Sequence, residues 1–377
     1  FDLSTNIYTN LGSIKTNVSY WSDSLNKKVS GTIMIEELTL SQLLKNNKLS
    51  NLSLKDTFSL HTYKEKITNV YSLAKVNSYT FNDYTYSNIS ALLLKNNDSL
   101  SATLNINDEN IKSKIAVQLI EKDKLNTGSF VAQIDTIKFY PLKLMKDDKY
   151  ASLSLALKGN FSFKDLNTLV LNIGLSKPIH LIKNLQYLKI NKFNLSTDYY
   201  VQSDTLRKIV ADNDFFELNM IGNLNFKEIS SFASNFIYEY LPALSKQKIS
   251  EVYNVHHKKY FEYIAKVKDL KHIQEIFFPK YTISKNTTIA GNFNSDKQFI
   301  LNLNSDSIVF SKNKIFNLNF SIAADSSTLI ANINSDTIQL TQLKFRNFNF
   351  NSQTHNNNTD IVLKWDNKSI PINKGRI

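Results

Sequence analysis

The sequence contains no cysteine, and this absence excludes several chemistries at once. None of its 377 residues offers a thiol for a disulfide, for a thiolate metal site or for a cysteine nucleophile. Glycine and proline are also scarce, with 8 and 5 copies, although a chain of this length needs many turns. Asparagine and serine are therefore expected to supply most turns, because their short side chains hydrogen-bond to neighbouring backbone.

Long apolar runs and a leader pattern are missing as well. No run approaches the ~20 apolar residues that cross a bilayer, and Phe1 opens the chain without a basic, apolar and small-residue leader. These features predict an internal piece of a longer protein whose targeting and anchoring segments lie outside it. The GxSxG, P-loop and GxGxxG signatures are also absent. The sequence therefore predicts no enzyme, no cofactor and no nucleotide site.

Charge is modest and evenly spread. Charged residues make up 21% of the chain, hydrophobic residues 42%, and the net charge is +12. The basic residues are scattered, so they favour solvation of strand faces and protection of strand edges over a patch for an acidic partner. The 24 Phe and 18 Tyr suit an apolar sheet face better than base stacking, so no nucleic acid is expected as a partner.

Alternation of apolar and polar residues runs through most of the chain and predicts strands. Phe299, Leu301 and Leu303, for example, share one parity, while Asn302 and Asn304 occupy the other. Successive side chains of a strand point to opposite faces, so each segment has an apolar face and a polar one. The phrase Asn-x-Asn-Ser-Asp occurs at 292–296, 302–306 and 332–336, and its composition predicts a turn at each copy.

These patterns predict a mainly β chain, with antiparallel strands in one elongated repeat region over residues 1–377. Three segments depart from the strand pattern. Apolar residues at helical spacing predict a helix at about 227–246, a shorter helix is expected at about 270–278 before Pro279, and 351–359 reads as an Asn-rich loop.

The apolar parity sets are the candidate site. An open sheet of more than ~10 strands usually curls or folds on itself, so its apolar face needs a cover of protein or ligand. We predict an open apolar groove for lipid chains, and a closed sandwich in which the same residues form an ordinary core remains the alternative. The predicted groove-lining residues are Leu153, Leu155, Leu157, Leu169, Leu171, Ile173, Phe216, Leu218, Met220, Phe299, Leu301, Leu303, Phe316, Leu318 and Phe320.

Residues 256–275 contain the one local cluster of metal-type side chains in the sequence. His256 and His257 are followed by Glu262, His272 and Glu275, but adjacent histidines point apart in a strand or a helix and no HExxH spacing occurs. We therefore expect no metal site.

Four phrases, in order along the chain, carry a family resemblance. They are Phe81–Ser90, Lys143–Leu157, Asp214–Leu241 and Glu275–Leu303, within a span of about 30–320. In this order the chain resembles the TamB branch of the AsmA-like superfamily (translocation and assembly module), in the long form found in Bacteroidetes-type diderm bacteria.

The resemblance implies a long curved β-sheet with a concave apolar groove (β-taco-like) in the periplasm, tethered to the inner membrane by an anchor absent from this fragment. It implies movement of phospholipid between inner and outer membrane in support of outer-membrane assembly, with a BamA-like outer-membrane barrel as partner. It carries no catalytic residues. The alternative function is a structural or adhesive cell-surface β-repeat protein with a closed core.

Overall fold

The chain is mainly β in a computed structural model, as the alternation predicts. The structure describes residues 1–165, 168–201, 205–223, 259–294, 298–325, 327–355, 358–366 and 373–376. Of these, 76% lie in strands and 4% in two short helices, and the strands pair antiparallel. The chain divides into two compact units, unit 1 (Phe1–Lys192) and unit 2 (Phe193–Ile377), where the sequence pattern predicted one region.

Unit 1 is an antiparallel meander in which consecutive strands pair with each other. Its strands are β1 (Asp2–Thr9), β2 (Gly12–Ser22), β3 (Asn26–Thr39), β4 (Leu49–Tyr63), β5 (Lys66–Phe81), β6 (Tyr84–Asn96), β7 (Ser99–Asn107), β8 (Ile111–Lys122), β9 (Leu125–Lys138), β10 (Ser152–Phe163), β11 (Val170–Lys183) and β12 (Gln186–Ile190). Helix α1 (Leu40–Leu44) joins β3 to β4. Within unit 1, β1 pairs with β2 alone in the described residues, so this sheet does not close on itself.

Unit 2 has the same antiparallel pattern with one interruption. Its strands are β13 (Phe193–Val201), β14 (Thr205–Asn213), β15 (Phe216–Gly222), β16 (Tyr260–Val267), β17 (Tyr281–Ile283), β18 (Thr288–Asn294), β19 (Phe299–Phe310), β20 (Asn313–Ala324), β21 (Thr328–Gln339), β22 (Lys344–His355), β23 (Asn358–Asp366) and β24 (Asn373–Arg376). Strand β19 pairs first with β18 and then with β17 along the same edge. Between β17 and β18 the Thr287 hydroxyl donates to the Ser284 carbonyl at 2.8 Å and contacts the Ser305 hydroxyl at 2.7 Å, so polar groups at this step are hydrogen-bonded.

The short predicted helix is confirmed, since α2 spans Lys271–Phe277 and ends two residues before Pro279. The predicted helix at 227–246 lies outside the residues that the structure describes.

The prediction of turns at the Asn-x-Asn-Ser-Asp phrases is wrong for two of the three copies. Residues 302–306 lie within β19 and residues 332–336 within β21, while 295–296 of the first copy fall outside the described residues. Ser335 is buried, and its hydroxyl donates to the Phe316 carbonyl at 2.6 Å and to the Thr337 carbonyl at 3.1 Å. Ser335 thus hydrogen-bonds to backbone carbonyls at an irregularity inside a long strand, whereas composition alone indicated a turn.

The predicted Asn-rich loop at 351–359 is also mostly strand. β22 continues to His355 and β23 begins at Asn358. Asn351 takes part in the ladder opposite Val362, and its side chain donates to the Asn332 amide oxygen at 2.5 Å. Cross-strand amide pairs such as this one offset the low strand propensity of asparagine.

Four shifts of register in unit 1 fall at one level of the sheet, while the shift between His61 and Thr62 lies at the other end of β4. The four shifts occur between Ile35 and Leu38, between Ser53 and Leu54, between Lys112 and Ser113, and between Leu153 and Leu155. A β-bulge bends its strand and increases the local twist. Unit 1 therefore bends along a line that crosses several strands.

Few side chains are fully buried. In unit 1 the buried apolar residues include Leu142 and Ala151, each 1% exposed, in or beside the long β9–β10 connection. Two neighbouring turns at the same end of the strands donate hydrogen bonds to this connection. The Asn82 side chain donates to the Lys143 carbonyl at 3.3 Å, and the Asn184 backbone amide donates to the Asp148 carboxylate. Burial in unit 1 is thus concentrated at one end of the strands, and the face of the sheet has no continuous buried core.

Candidate functional site

Four rows of paired residues form the apolar face of unit 1, three of them crossing β3 to β11 and the fourth crossing β3 to β10. Because antiparallel partners lie on the same side of a sheet, the register alone assigns these residues to one face. The rows are Val29, Leu60, Val70, Lys95, Leu100, Leu119, Gly128, Phe161, Leu171; Gly31, Phe58, Ser72, Leu93, Ala102, Val117, Phe130, Gly159, Ile173; Ile33, Asp56, Ala74, Ala91, Leu104, Ile115, Ala132, Leu157, Leu175; and Ile35, Leu54, Val76, Ile89, Ile106, Ser113, Ile134, Leu155.

The exposure of this face is uniform. Apart from Gly159, which is buried, every residue in the four rows is half-buried. In a sandwich the facing side chains of two sheets interdigitate and seal each other from water. Here all twelve strands of unit 1 belong to one sheet, and within the described residues no second layer seals its apolar face.

Two phenylalanines of this face lie against glycines of the adjacent strand. Phe130 on β9 pairs with Gly159 on β10, and Phe161 on β10 pairs with Gly128 on β9. A Cβ placed on Gly159 would lie 2.6 Å from the Phe130 ring, and one on Gly128 would lie 2.6 Å from the Phe161 ring. The glycines therefore provide the space into which the two aromatic rings fit.

Unit 2 carries an apolar face of the same kind, made of two rows that cross β13 to β23. The rows are Leu195, Ala211, Leu218, Ala265, Ile289, Leu303, Phe320, Ile333, Phe350, Leu363; and Thr197, Ile209, Met220, Tyr263, Gly291, Leu301, Ile322, Ala331, Ser352, Ile361. All are half-buried except Ala211, which is buried. Burial in this face raises the pKa of the Tyr263 phenol above its ordinary value.

Most of the fifteen predicted groove residues lie in these rows or beside them and are half-buried. Leu303 on β19 and Phe320 on β20 are directly paired. Leu169, in contrast, precedes β11, which begins at Val170. Leu318 is 8% exposed and is therefore buried.

Phe216 and Phe316 are not half-buried, since each is 37% exposed. For Phe316 the reason is a backbone irregularity one residue later, where Asn317 has a φ of 51°. Before Asn317 along the strand, Ile315 takes the half-buried position in place of Phe316, and it pairs with Ile308 and Ile338. Parity counted along the sequence cannot register such a change of face.

A large part of both faces was not predicted from the sequence. In β4 the signal was present as Leu54, Phe58 and Leu60 on even positions, but Asp56 interrupts the run. In β22, Phe348 and Phe350 continue the pattern, and their neighbours had been assigned to a loop.

The opposite face of unit 2 is polar and rich in asparagine. Asn302, Ser321, Asn332 and Asn351 form one cross-strand row, and Asn332 donates to the Ser321 hydroxyl at 3.4 Å. Cavities of about 550 and 330 Å³ in unit 2 share Glu262, Asn292 and Ile300, which point to this polar side.

Titratable groups cluster at the β7–β8 turn of unit 1. The buried carboxylate of Asp108 accepts hydrogen bonds from the Tyr84 hydroxyl, from the Ser87 amide and hydroxyl at 3.0 Å each, and from the Asn110 amide at 2.9 Å. Burial alone would raise the pKa of Asp108, but these donors outweigh it and hold that pKa below its usual value. Burial, together with the bond to Asp108, raises the pKa of Tyr84 to about 12.

No group of three metal-type ligands occurs among the residues that the structure describes. His256 and His257 lie outside them. His272 contacts Glu275 at 3.6 Å, and both side chains are exposed.

Neither short helix of the described chain is long and apolar enough to cross a membrane. Comparison with protein-family models, with curated proteins and with solved structures finds no match.

Proposed function

We propose that this chain is a non-enzymatic lipid-transport segment, whose apolar faces shield phospholipid acyl chains on their way between two membranes. The observation that carries the proposal is the half-burial of the four rows of unit 1 across nine consecutive strands. An ordinary core would seal such residues, whereas a transport surface has to leave them accessible to a ligand.

The energetics favour an extended apolar surface over a specific pocket. Each acyl CH₂ group exposed to water costs about 0.8 kcal/mol, so two chains of about sixteen carbons face a barrier on the order of 20 kcal/mol without cover. A surface of Leu, Ile, Val and Phe lowers this barrier through burial alone. It needs no catalytic group, which fits the absence of hydrolase signatures.

The resemblance to the TamB branch adds the cellular setting to the proposal. In that setting the chain would be periplasmic, would belong to a longer protein anchored in the inner membrane, and would work with a BamA-like outer-membrane barrel in outer-membrane assembly. The competing function, an adhesive or structural surface repeat, requires no bound lipid.

Lipid extraction and native mass spectrometry of the purified chain test the proposal. We expect copurified phospholipid, reduced by about half in Leu171→Asp or in Leu301→Asp, because each substitution places a charge in an apolar row of one unit. Asn172→Asp and Asn302→Asp are matched controls, since they add the same charge to the next, exposed residue of the same strand. Leu318 is less suitable because it is buried, and a charge there would disturb folding. A lipid-free chain, or equal lipid in all four variants, would refute the proposal.

A further inference from the structure

A single carboxylate stands within the apolar rows of unit 1. Asp56 on β4 pairs with Ile33 on β3 and with Ala74 on β5. Its neighbours on the same face of its own strand are Leu54 and Phe58, two residues away on either side. The Asp56 side chain is half-buried, as are these four neighbours. The carboxylate therefore sits in apolar surroundings on both sides and along its strand.

The intramolecular partner of this carboxylate is a neutral hydroxyl. Ser72 donates to the two oxygens of Asp56 at 3.1 and 3.3 Å. Within the described residues no lysine, arginine or histidine forms an ion pair with Asp56. Ser72 thus fixes the orientation of the carboxylate without neutralising its charge.

Lys95, the other charged residue of the four rows, occupies a different kind of position. It lies one residue before the end of β6, at the margin of the apolar face. Its long aliphatic stem can cover apolar surface while its ammonium group reaches water. Asp56 lies in the middle of β4, seven residues from either end of that strand, and its side chain is too short for the same solution.

Acyl chains laid over the apolar face would strip water from Asp56. Removing a carboxylate from water without a compensating positive charge is unfavourable. An occupant that brings an ammonium group removes this penalty through a charge-assisted hydrogen bond. The Phe58 ring beside Asp56 offers a second favourable surface for a cation.

We propose that Asp56 is a headgroup subsite that binds the primary ammonium group of an amphiphile, as in a zwitterionic amine phospholipid. This inference rests on the proposed lipid-transport function. Ser72 orients the carboxylate, the adjacent Ala74 and Ala91 leave room for a headgroup, and the acyl chains extend over the remaining rows. A phospholipid without an amine would place its phosphate against the Asp56 charge and bind less well.

Loading of the purified chain from mixed vesicles tests the subsite. The chain is incubated with equimolar phosphatidylethanolamine and phosphatidylglycerol, and bound lipids are quantified by mass spectrometry. We expect the ratio of bound phosphatidylethanolamine to bound phosphatidylglycerol to be about three- to tenfold higher than in the vesicles, which matches the net gain from one hydrogen bond. Asp56→Asn, which keeps an oxygen for Ser72, is expected to bind the same total lipid without the preference. Asp98→Asn, at an exposed turn of the same unit, is the matched control and keeps the preference.

The possible outcomes distinguish failure of the subsite from failure of the transport function. Lipid bound in the vesicle ratio by the unaltered chain, or an enrichment that persists in Asp56→Asn, overturns the subsite and leaves the transport function standing. Absence of lipid from the unaltered chain overturns both. A loss of total lipid in Asp56→Asn together with a changed circular dichroism spectrum shows a structural role for Asp56 and also overturns the subsite.

Discussion

Phe130 and Phe161 illustrate how single residues set the packing of the apolar face. Each ring occupies the space above a glycine of the neighbouring strand, so the two pairs form a reciprocal arrangement on β9 and β10. Glycine in a strand ordinarily weakens it, since there is no side chain to pack. Here the opposite residue supplies that packing, and the scarce glycines are placed where a Cβ would collide.

Substitution of Gly159 tests this arrangement. A Cβ there would lie 2.6 Å from both the Phe130 ring and the Asn172 carbonyl oxygen, so Gly159→Ala forces movement of side chain and backbone. We expect a loss of about 1 to 3 kcal/mol in the free energy of unfolding, measured by urea denaturation. Asn160→Ala, on the exposed side of the same strand, should stay within about 0.5 kcal/mol. Equal values for the two variants would contradict the packing role of Gly159.

Asp108 provides a prediction about acid stability. Its pKa is lowered in the folded chain, so its contribution is fully present above the usual carboxyl value of 3.8 and is lost as pH falls through the lowered value. Asp108→Asn replaces an acceptor by an amide that meets several donors, and we expect a cost of about 1 to 3 kcal/mol at pH 7. The difference from the unaltered chain should shrink at pH 3. Urea titrations at both pH values measure it, and a difference independent of pH would refute the assignment.

The strands of unit 2 show how an element departs from its sequence pattern. Asn317 on β20 and Asn347 on β22 have φ values of 51° and 46°, a region that asparagine tolerates far better than β-branched residues. Asn317 donates to the Asp336 carboxylate at 2.5 Å, and Asp336 ends one of the repeated phrases. The repeated phrase on β21 therefore lies beside an asparagine with left-handed backbone conformation on the paired strand β20.

Asn317→Val should accordingly destabilise the chain, because valine in this conformation costs about 1 to 2 kcal/mol. Asn317→Gly should be tolerated. Asn319→Val, two residues further on the exposed side of β20, is the control and should be neutral or slightly stabilising, since valine favours strands. Thermal unfolding of the three variants decides the point. A neutral Asn317→Val would show that the positive φ is not required.

The whole chain carries an apolar face in each of its two units, and neither face depends on a fixed catalytic geometry. If each face holds lipid, the effects of Leu171→Asp in unit 1 and Leu301→Asp in unit 2 should add. We expect each variant to lose about half of the bound phospholipid and the double variant nearly all of it, by analogy with independent sites. Lipid extraction with an internal standard measures the amounts. A single variant that abolishes all binding would show that the faces do not act independently.

Sequence reasoning succeeded where the relevant periodicity is local. The alternation at Leu100 to Ile106 and at Phe299 to Leu303 predicted strands and their apolar side, because side-chain direction along a strand follows from the backbone geometry of that strand alone. The helix at Lys271–Phe277 was also predictable from a local signal, because Pro279 marks its end in the sequence. Long-range pairing was not accessible in this way.

The sequence by itself determined the strand-rich character of this protein, the absence of thiol chemistry and the alternation that gives its strands an apolar side. The tertiary structure decided where that alternation changes phase at Asn317, why the repeated Asn-Ser-Asp phrases lie inside strands, and that Asp56 stands among apolar residues of three strands. Register and bulges depend on pairing between distant segments, and a shift of one residue turns a side chain to the other face. No count along a single strand contains that information.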